Sequence, residues 1–386
     1  MRISLLLILV HIGWVSVCAQ TIKISIFNSK NINSFTVHVT EGKYVVRKQN
    51  EVLGEYRRGS IFHISRFGNT FELRDKRNFI GNFQHIEFRC ISDEGIVRVN
   101  PVNPDLKARE YDDDLVIRIH NNQLNLINKL DLEKYIAAVI EAEGGNNAPP
   151  EYYKAQAVLI RTFTIKNLYK HAEEGFDLCD EVHCQAYKSR CSQHPDILQA
   201  TRSTAGKVLT DENDVLIMSP FHSNCGGKTS NAGMVWQKDL PYLPSVTDPF
   251  CSTGKNAVWT ATVTREQWLS FLDGYTGENI DYSRYDFSFS SPHRSKFIHI
   301  HGIDLNMRTV REHFGLKSAY FAIEDDGRNV TFKGKGYGHG VGMCQEGAME
   351  MARVGYSWLD IIHFYFRDVK VADYREMELH RFKPQL

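Results

Sequence analysis

Glu143 is the side chain in this sequence best placed to transfer a proton. It follows Leu132, Ile136 and Val139 at helical spacing, so a helix would put all of them on one face. A carboxyl group held against apolar side chains has a raised pKa because burial disfavours its charged form, which suits a general acid at neutral pH. Glu141 would lie on the opposite face, towards water. Fraying of the helix end, which would turn Glu143 to solvent, is the alternative.

A second group of reactive side chains lies in the polar stretch 170–195, which contains His171, Cys179, His183, Cys184, Cys191 and His194. Neutral imidazole and thiolate are the ligands that zinc selects. Their spacing matches no closed zinc-finger pattern, and cysteines of exported proteins usually form disulfides. The residues alone leave zinc and a disulfide open.

Glycine occupies every second position from Gly334 to Gly342. Each glycine inside a strand or helix would cost roughly 0.5–1 kcal/mol relative to alanine, so this backbone is expected to need positive φ or close approach by a polymer or a neighbouring loop. The run lacks the Lys-Ser/Thr ending of a P-loop, which argues against nucleotide binding.

Residues 222–229 form another glycine-containing loop, which is either a turn with a buried hydroxyl or part of a binding surface. Cys225 follows His222 by three positions and Cys344 follows His339 by five, so each could form a Cys-His nucleophile pair. Such pairs are assembled in space, however, and closeness in sequence is weak support for them.

These residues must be positioned by a mixed α+β fold. Short alternating runs from residue 20 to 126 predict a β-rich N-terminal region, and the junction near Asn128 has no linker. Residues 127–386 should form the catalytic or glycan-binding region. Its first helix is predicted to begin after Asp131 and to end at Gly144. Pro149 and Pro150 should open a second helix, which runs from Glu151 to about Lys170.

Later elements of this region are predicted from shorter patterns. Strands are expected at residues 208–209, 215–218, 260–263, 296–300 and 329–332, and a last helix at 345–353.

Composition limits the classes of partner. The 386-residue chain has 46 Lys and Arg against 46 Asp and Glu, a balance that gives no electrostatic footprint for nucleic acid. Residues 1–19 are typical of a signal peptide, which predicts export to the periplasm or cell envelope, and no later stretch is apolar enough to span a membrane. Lipid anchoring at Cys18 is the less favoured alternative, because Val17 is large for that position.

Removal of the signal peptide would leave seven cysteines, an odd number, so at least one is unpaired, metal-bound or intermolecular. The favoured disulfide joins Cys225 and Cys251, because both flank a turn-rich segment.

Together the motifs resemble the SpoIID/LytB family of bacterial cell-wall proteins. The resemblance spans roughly residues 95–370 and is carried, in family order, by residues 132–143, 154–162, 184–187, 226–229, 236, 241–243, 311–318 and 336–343. Members of the SpoIID type are lytic transglycosylases that cut glycan strands lacking stem peptides, and members of the LytB type are described as amidase enhancers.

The resemblance implies roles for particular residues. The family's catalytic acid corresponds to Glu143, although Glu141 stands where proline is common and Cys344 where serine is usual. Its zinc ligands, one His and two Cys, correspond to His171, Cys179 and Cys184. We expect the two glycine-containing loops to bind the glycan, through Ser223, Thr229, Tyr337, His339 and Gln345.

The resemblance leaves two functions from different classes. One is an enzyme that cleaves peptidoglycan glycan strands, in which Glu143 alone serves as acid and then base to give 1,6-anhydro-muramic ends. The other is a non-catalytic peptidoglycan-binding partner of a cell-wall amidase. A Cys-His hydrolase at Cys344 is a third and weaker alternative.

Overall fold

The computed structural model describes residues 20–76, 78–144, 147–236, 238–277, 281–282 and 285–377. The predicted signal peptide and Cys18 lie outside the described residues. The structure confirms the mixed α+β class: antiparallel sheets come first, and a mixed region with most of the helices follows.

The strands are β1 (Thr21–Ile26), β2 (Ser34–Glu41), β3 (Lys43–Lys48), β4 (Glu51–Arg57), β5 (Ile61–Phe67), β6 (Thr70–Asp75), β7 (Asn78–Phe83), β8 (His85–Cys90), β9 (Ile96–Asn103), β10 (Arg109–Asp112), β11 (Asp114–His120), β12 (Gln123–Asp131), β13 (Leu178–Cys179), β14 (Lys207–Thr210), β15 (Phe221–His222), β16 (Val258–Thr264), β17 (Phe297–Ile300), β18 (Ile303–Asn306), β19 (Phe321–Asp325), β20 (Asn329–Lys335), β21 (Met343–Cys344) and β22 (Lys370–Asp373). The helices are α1 (Leu132–Glu143), α2 (Pro150–Lys166), α3 (Pro195–Ser203), α4 (Ala232–Val235), α5 (Arg265–Thr276), α6 (Met307–Phe314), α7 (Gln345–Arg353) and α8 (Trp358–Tyr365).

Two sheets of the N-terminal region pack face to face. One has the strand order β13-β1-β12-β11-β8-β3-β4 and the other β10-β9-β2-β5-β6-β7. Phe62 of β5 lies edge-on against Tyr56 of β4 and Phe88 of β8, with ring centroids 4.6 and 4.9 Å apart. The apolar side chains alternate along each strand and point towards the other sheet. Their contacts join the two sheets into one core.

Strand β12 connects this β region to the helices without a break. Asp131 ends the strand and caps α1, since its side chain accepts hydrogen bonds from the backbone N–H groups of Glu133 and Lys134. Gly144 ends α1 in the left-handed conformation, with φ at 87°. Both helix signals are therefore confirmed. The predicted boundary between residues 126 and 127 falls inside β12, and one hydrophobic core extends across it.

The second half of the chain departs from the expected pattern in several places. Helix α2 ends at Lys166, four residues early, and residues 215–218 form no strand beyond a single bridge at Leu216. Helix α7 has its predicted bounds but is followed by α8, whose start is marked by a Ser357–Asp360 capping box. No helix within the described residues is long and apolar enough to cross a membrane.

A second hydrophobic core was not expected from the sequence. Strands β16, β20 and β19 form a sheet that packs with α5, α6 and the β17-β18 hairpin around the fully buried Trp268. This unit interrupts the chain between β15 and β21. Those two short strands nevertheless pair in parallel, with Phe221 opposite Met343 and His222 opposite Cys344, and so bring the two glycine-containing loops together.

Candidate active-site groove

Glu143 stands at the carboxyl end of α1, where it is half-buried and lines a groove with a volume of about 880 Å³. Burial raises the pKa of this carboxyl group above its usual value. The charge of Lys188 and a hydrogen bond from the backbone of Ala186 act in the opposite direction but are weaker. The carboxyl group is thus biased towards its protonated form and still reachable from the groove, as a general acid requires.

Glu141 does not face water, contrary to the helical-face argument. It is half-buried, and its carboxylate accepts hydrogen bonds from the backbone N–H groups of Ser192, Gln193 and His194 at 3.3, 3.0 and 3.1 Å. The reason is that residues 191–194 lie over the face of α1 that was assigned to solvent. Glu141 therefore anchors this segment and does not line the groove.

The glycine-rich segment packs against the loop that follows β15, which confirms that its glycines serve close approach. Asn224 and Tyr337 exchange backbone hydrogen bonds of 3.1 and 2.8 Å. Gly336 has φ at 76°, and a Cβ atom there would lie 2.5 Å from the carbonyl oxygen of Asn224. The segment that approaches these glycines is thus a neighbouring loop, and the two paired loops form one wall of the groove.

Four of the five predicted binding residues line this groove: Ser223, Tyr337, His339 and Gln345. The fifth, Thr229, is buried away from it, where its hydroxyl accepts a 2.7 Å hydrogen bond from the backbone of Val246. Thr229 therefore braces a turn, in accord with the alternative of a buried hydroxyl.

Two histidines of this wall are held neutral. Burial lowers the pKa of His339 to about 4, and burial together with His339 and Arg294 lowers the pKa of the fully enclosed His222 well below its usual value. The Nδ1 atom of His222 lies 3.1 Å from the carbonyl oxygen of Val341 and so donates to it. Its Nε2 atom is then an acceptor, and it has no partner in the described part of the chain.

A second carboxylate in the groove was missed in the sequence. Glu346 accepts hydrogen bonds from the side-chain amides of Asn224 and Asn256 at 2.7 and 2.6 Å. Asn256 also donates to the Ser223 hydroxyl at 3.1 Å. Glu346 directly follows the predicted binding residue Gln345, which is the only local signal, because Asn256 reaches the site from a distant loop.

The His/Cys stretch folds into a compact cluster. His171, Cys179, His183 and Cys184 place their donor atoms within 4.8 Å of one another. The Nε2 atom of His171 lies 3.4 Å from the sulfur of Cys184, and that of His183 lies 3.5 Å from the sulfur of Cys179. Two imidazoles and two thiols are a complete donor set for zinc, so the three predicted ligands gain a fourth in His183.

Two features orient this cluster. His171 Nδ1 is hydrogen-bonded to Glu174 at 2.6 Å, the arrangement that commonly fixes a metal-binding histidine. Cys179 belongs to β13, which pairs with β1 so that Ser25 lies opposite Cys179. The N-terminal strand therefore supports the cluster.

The cysteines near the glycine loops do not form Cys-His pairs. Cys344 is fully buried at the N-cap of α7, and burial raises the pKa of its thiol well above the usual value. This burial argues against the Cys-His hydrolase alternative at Cys344. Its near neighbours are Cys225 and Cys251, whose sulfurs lie 3.3 Å apart as free thiols, so the favoured pair is adjacent but not bonded.

Comparisons with known proteins identify the family. The sequence profile named SpoIID, Stage II sporulation protein, matches residues 120–210. Stage II sporulation protein D of Bacillus amyloliquefaciens is 30% identical over 272 residues, which cover 67% of this chain and 78% of that protein. The protein of the same name from Bacillus subtilis (strain 168) is 30% identical over 275 residues, covering 67% and 79%. The chain belongs to the SpoIID family.

Family membership confirms the resemblance inferred from the motifs. The profile match contains Glu143 and all four residues of the His/Cys cluster. Another relative, named amidase enhancer, comes from Bacillus subtilis (strain 168). It is 27% identical over 280 residues, which cover 58% of this chain and 38% of that protein.

Proposed function

We propose that this protein is a peptidoglycan lytic transglycosylase in which Glu143 is the acid and base. One observation carries the proposal: a carboxyl group with a raised pKa lines an open groove large enough for sugar units, and uncharged hydrogen-bonding side chains line the same groove. Membership of the SpoIID family supports a peptidoglycan substrate for this proposal.

The proposed reaction needs one proton-transferring group. Glu143 in its protonated form gives its proton to the glycosidic oxygen as the bond to the anomeric carbon of muramic acid breaks. The resulting carboxylate then takes the proton of the 6-hydroxyl group of the same sugar, whose oxygen bonds to the anomeric carbon. The products are a free 4-hydroxyl end and a 1,6-anhydro end, and Glu143 is again protonated.

Glu346 has a different role in this proposal. Its carboxyl oxygens accept hydrogen bonds from the side-chain amides of Asn224 and Asn256, which fix the position of the group in the groove. A negative charge in the groove stabilises the oxocarbenium-like transition state of glycosidic cleavage.

The opposite wall would bind the glycan. Tyr337 exposes 44% of its surface and offers an aromatic face to a sugar ring. Ser223, His339 and Gln345 line the same groove and would offer polar groups to the sugar hydroxyl groups.

Zinc in the His171, Cys179, His183 and Cys184 cluster would be structural. Four protein ligands leave no open position for water or substrate, so the ion would cross-link β13 to the segment after α2.

The second candidate function is a glycan-binding partner of an amidase. The observation that favours it is the similarity to the relative named amidase enhancer. The groove would then bind glycan strands without cutting them.

Incubation of the purified protein with peptide-free glycan strands tests the proposal. Mass spectrometry should show shortened strands with 1,6-anhydro ends in the absence of any amidase. Strands that remain intact, together with faster release of peptides when an amidase is added, would support the binding function instead.

A further inference from the structure

A second group of potential metal ligands lies beneath the groove wall and is separate from the His/Cys cluster. Cys225, Asp248, Cys251 and Cys344 place their donor atoms within 4.8 Å of one another, and all four are buried. The Cys225 sulfur lies 3.3 Å from that of Cys251 and 3.2 Å from Asp248 Oδ2. Ligands of a tetrahedral zinc ion with Zn–S distances of about 2.3 Å would lie about 3.8 Å apart, so the cluster needs only small shifts.

Asp248 lacks the cation that a buried carboxylate normally has. It is 1% exposed, and no Lys, Arg or His within the described residues forms an ion pair with it. Its Oδ2 accepts from the hydroxyl group of Tyr365 at 2.9 Å, and its Oδ1 accepts from the backbone of Phe250 at 2.9 Å. A carboxylate is rarely buried without a partner of opposite charge, which a divalent cation would supply.

Backbone N–H groups point to two of the three sulfurs, an arrangement suited to thiolates. The N–H of Cys225 points to the sulfur of Cys344 at 3.3 Å, and the N–H of Gly227 to the sulfur of Cys251 at 3.2 Å. Cys344 is also the N-cap of the nine-residue helix α7, where the positive end of the helix dipole favours negative charge. Such outer hydrogen bonds orient and tune metal ligands.

The packing leaves room for this arrangement at Gly347, in the first turn of α7. A Cβ atom at that position would lie 2.3 Å from the Tyr365 hydroxyl and 2.4 Å from Asp248 Oδ2. The guanidinium of Arg294 approaches from the opposite side, donating to the carbonyl oxygen of Cys225 at 2.5 Å. Its positive charge would offset part of the net negative charge of a zinc ion bound by three thiolates and a carboxylate.

We propose that Cys225, Asp248, Cys251 and Cys344 bind a second zinc ion. The ion would join the loop after β15, the 248–251 loop and the start of α7, and so hold one wall of the groove in place. Because all four positions are filled by protein, this zinc takes no part in proton transfer. A Cys225–Cys251 disulfide is the competing arrangement, and it would leave Cys344 as a lone buried thiol. The proposal does not depend on the protein being a transglycosylase.

Metal content of the full chain, purified without chelator, tests the proposal. We expect two zinc ions per chain by elemental analysis and native mass spectrometry. The variants Cys344→Ser and Asp248→Asn should each retain one, as should Cys184→Ser, which removes a ligand of the first cluster. Cys90→Ser is the control and should retain two, because Cys90 is a half-buried cysteine of β8 that belongs to neither cluster. One zinc in the wild type that is lost in Cys184→Ser and kept in Cys344→Ser would overturn the proposal.

A second measurement keeps the test decisive if Cys344→Ser does not fold. Cobalt added to Cys184→Ser should give the sulfur-to-metal charge-transfer absorption of a thiolate-rich site, because only the second cluster keeps its ligands. Absence of this absorption, or a Cys225–Cys251 disulfide found in unreduced protein by peptide mapping, would contradict a second zinc site.

Discussion

The charge state of Glu143 depends on a balance between burial and the positive charge of Lys188. Burial raises the pKa of the carboxyl group, and Lys188 lowers it because a nearby cation favours the carboxylate. Glu143 must be protonated at the start of the proposed reaction, so kcat/KM should fall as pH rises through its pKa. The alkaline limb of the pH profile should thus lie above the usual glutamate range of about 4.3.

Replacing Lys188 should move that limb. In Lys188→Met the pKa of Glu143 rises, because one favourable interaction of the carboxylate is lost, and the alkaline limb shifts to higher pH. The measurement is kcat/KM for strand cleavage as a function of pH. Lys255→Met is the control, since Lys255 lines the same groove without affecting the pKa of Glu143. If the alkaline limb moved by the same amount in both variants, the total charge of the groove, and not Lys188, would determine the pKa of Glu143.

Replacement of Glu141 tests whether its carboxylate anchors residues 192–194 or faces the solvent. Glu141→Ala leaves three backbone N–H groups of residues 192–194 without their acceptor, but water can replace it at the exposed Ser192 and Gln193. The loss is then close to that of one hydrogen bond to a charged group, about 1.5–3 kcal/mol. We expect the free energy of unfolding in urea to fall by about 1–3 kcal/mol. Glu324→Ala, which removes an exposed ion pair with Lys333, should change it by less than about 1 kcal/mol. If Glu141→Ala left the free energy of unfolding unchanged, the original assignment of Glu141 to the solvent would be restored.

At the scale of elements, the features that local residues determine could be predicted from the sequence. The features that depend on contacts between distant residues could not. Asp131 and Gly144 mark the ends of α1 through their own side chain and backbone conformation, so sequence alone predicts them. Glu141 was assigned to water because a helical projection cannot show which loop covers a face. His183 was grouped with the other His and Cys residues of its stretch but not assigned as a ligand, and Glu346 was missed. The reason is the same, since their partners come together only in the folded chain.

Arg161 joins four elements through one buried guanidinium. It donates to Glu133 of α1 at 3.0 and 2.5 Å, and to the carbonyl oxygens of Lys207 and Thr201 at 3.0 and 3.1 Å. Arg161→Met should destabilise the protein by about 3–5 kcal/mol, because it leaves the Glu133 carboxylate without its cation. Thermal and urea unfolding would measure this. Recovery of stability in the double variant Arg161→Met/Glu133→Leu is expected, and its absence would mean that the carbonyl contacts dominate.

His183 decides whether the first metal cluster has three or four protein ligands. His183→Ala should weaken zinc binding by more than the roughly 10–100-fold loss typical of an outer partner. Competition with a chromophoric chelator, in a Cys344→Ser background that isolates this cluster, gives the affinity. His194→Ala is the control, because His194 lies in the same stretch but outside the cluster. Equal zinc affinity in the two variants would mean that only the three predicted residues, His171, Cys179 and Cys184, bind the ion.

At the scale of the whole molecule, the β region and the helical region share one core and one strand. β12 pairs with β11 and β1, and β1 in turn supports Cys179 of β13. We therefore expect residues 127–386 alone to show no cooperative unfolding by circular dichroism, because they lack both neighbours of β12. Residues 20–386 are the control. A cooperative transition in the shorter fragment would establish two independent domains.

The second hydrophobic core shows why the whole molecule could not be derived from the sequence. Periodicity located β16, β17 and β20 but gave no sign that they enclose Trp268 as a separate unit between two paired strands. The pairing of His222 with Cys344 joins residues that are 122 positions apart in the sequence. The groove exists only because of such contacts.

Replacement of Glu143 tests the central claim most directly. Glu143→Gln keeps the size of the side chain but has no transferable proton, so formation of 1,6-anhydro ends from peptide-free glycan should fall by about 10²–10⁴-fold. Mass spectrometry measures the products, and sedimentation with the same strands measures binding, which should be unchanged. Anhydro-product formation at the wild-type rate by a folded Glu143→Gln protein would contradict the account.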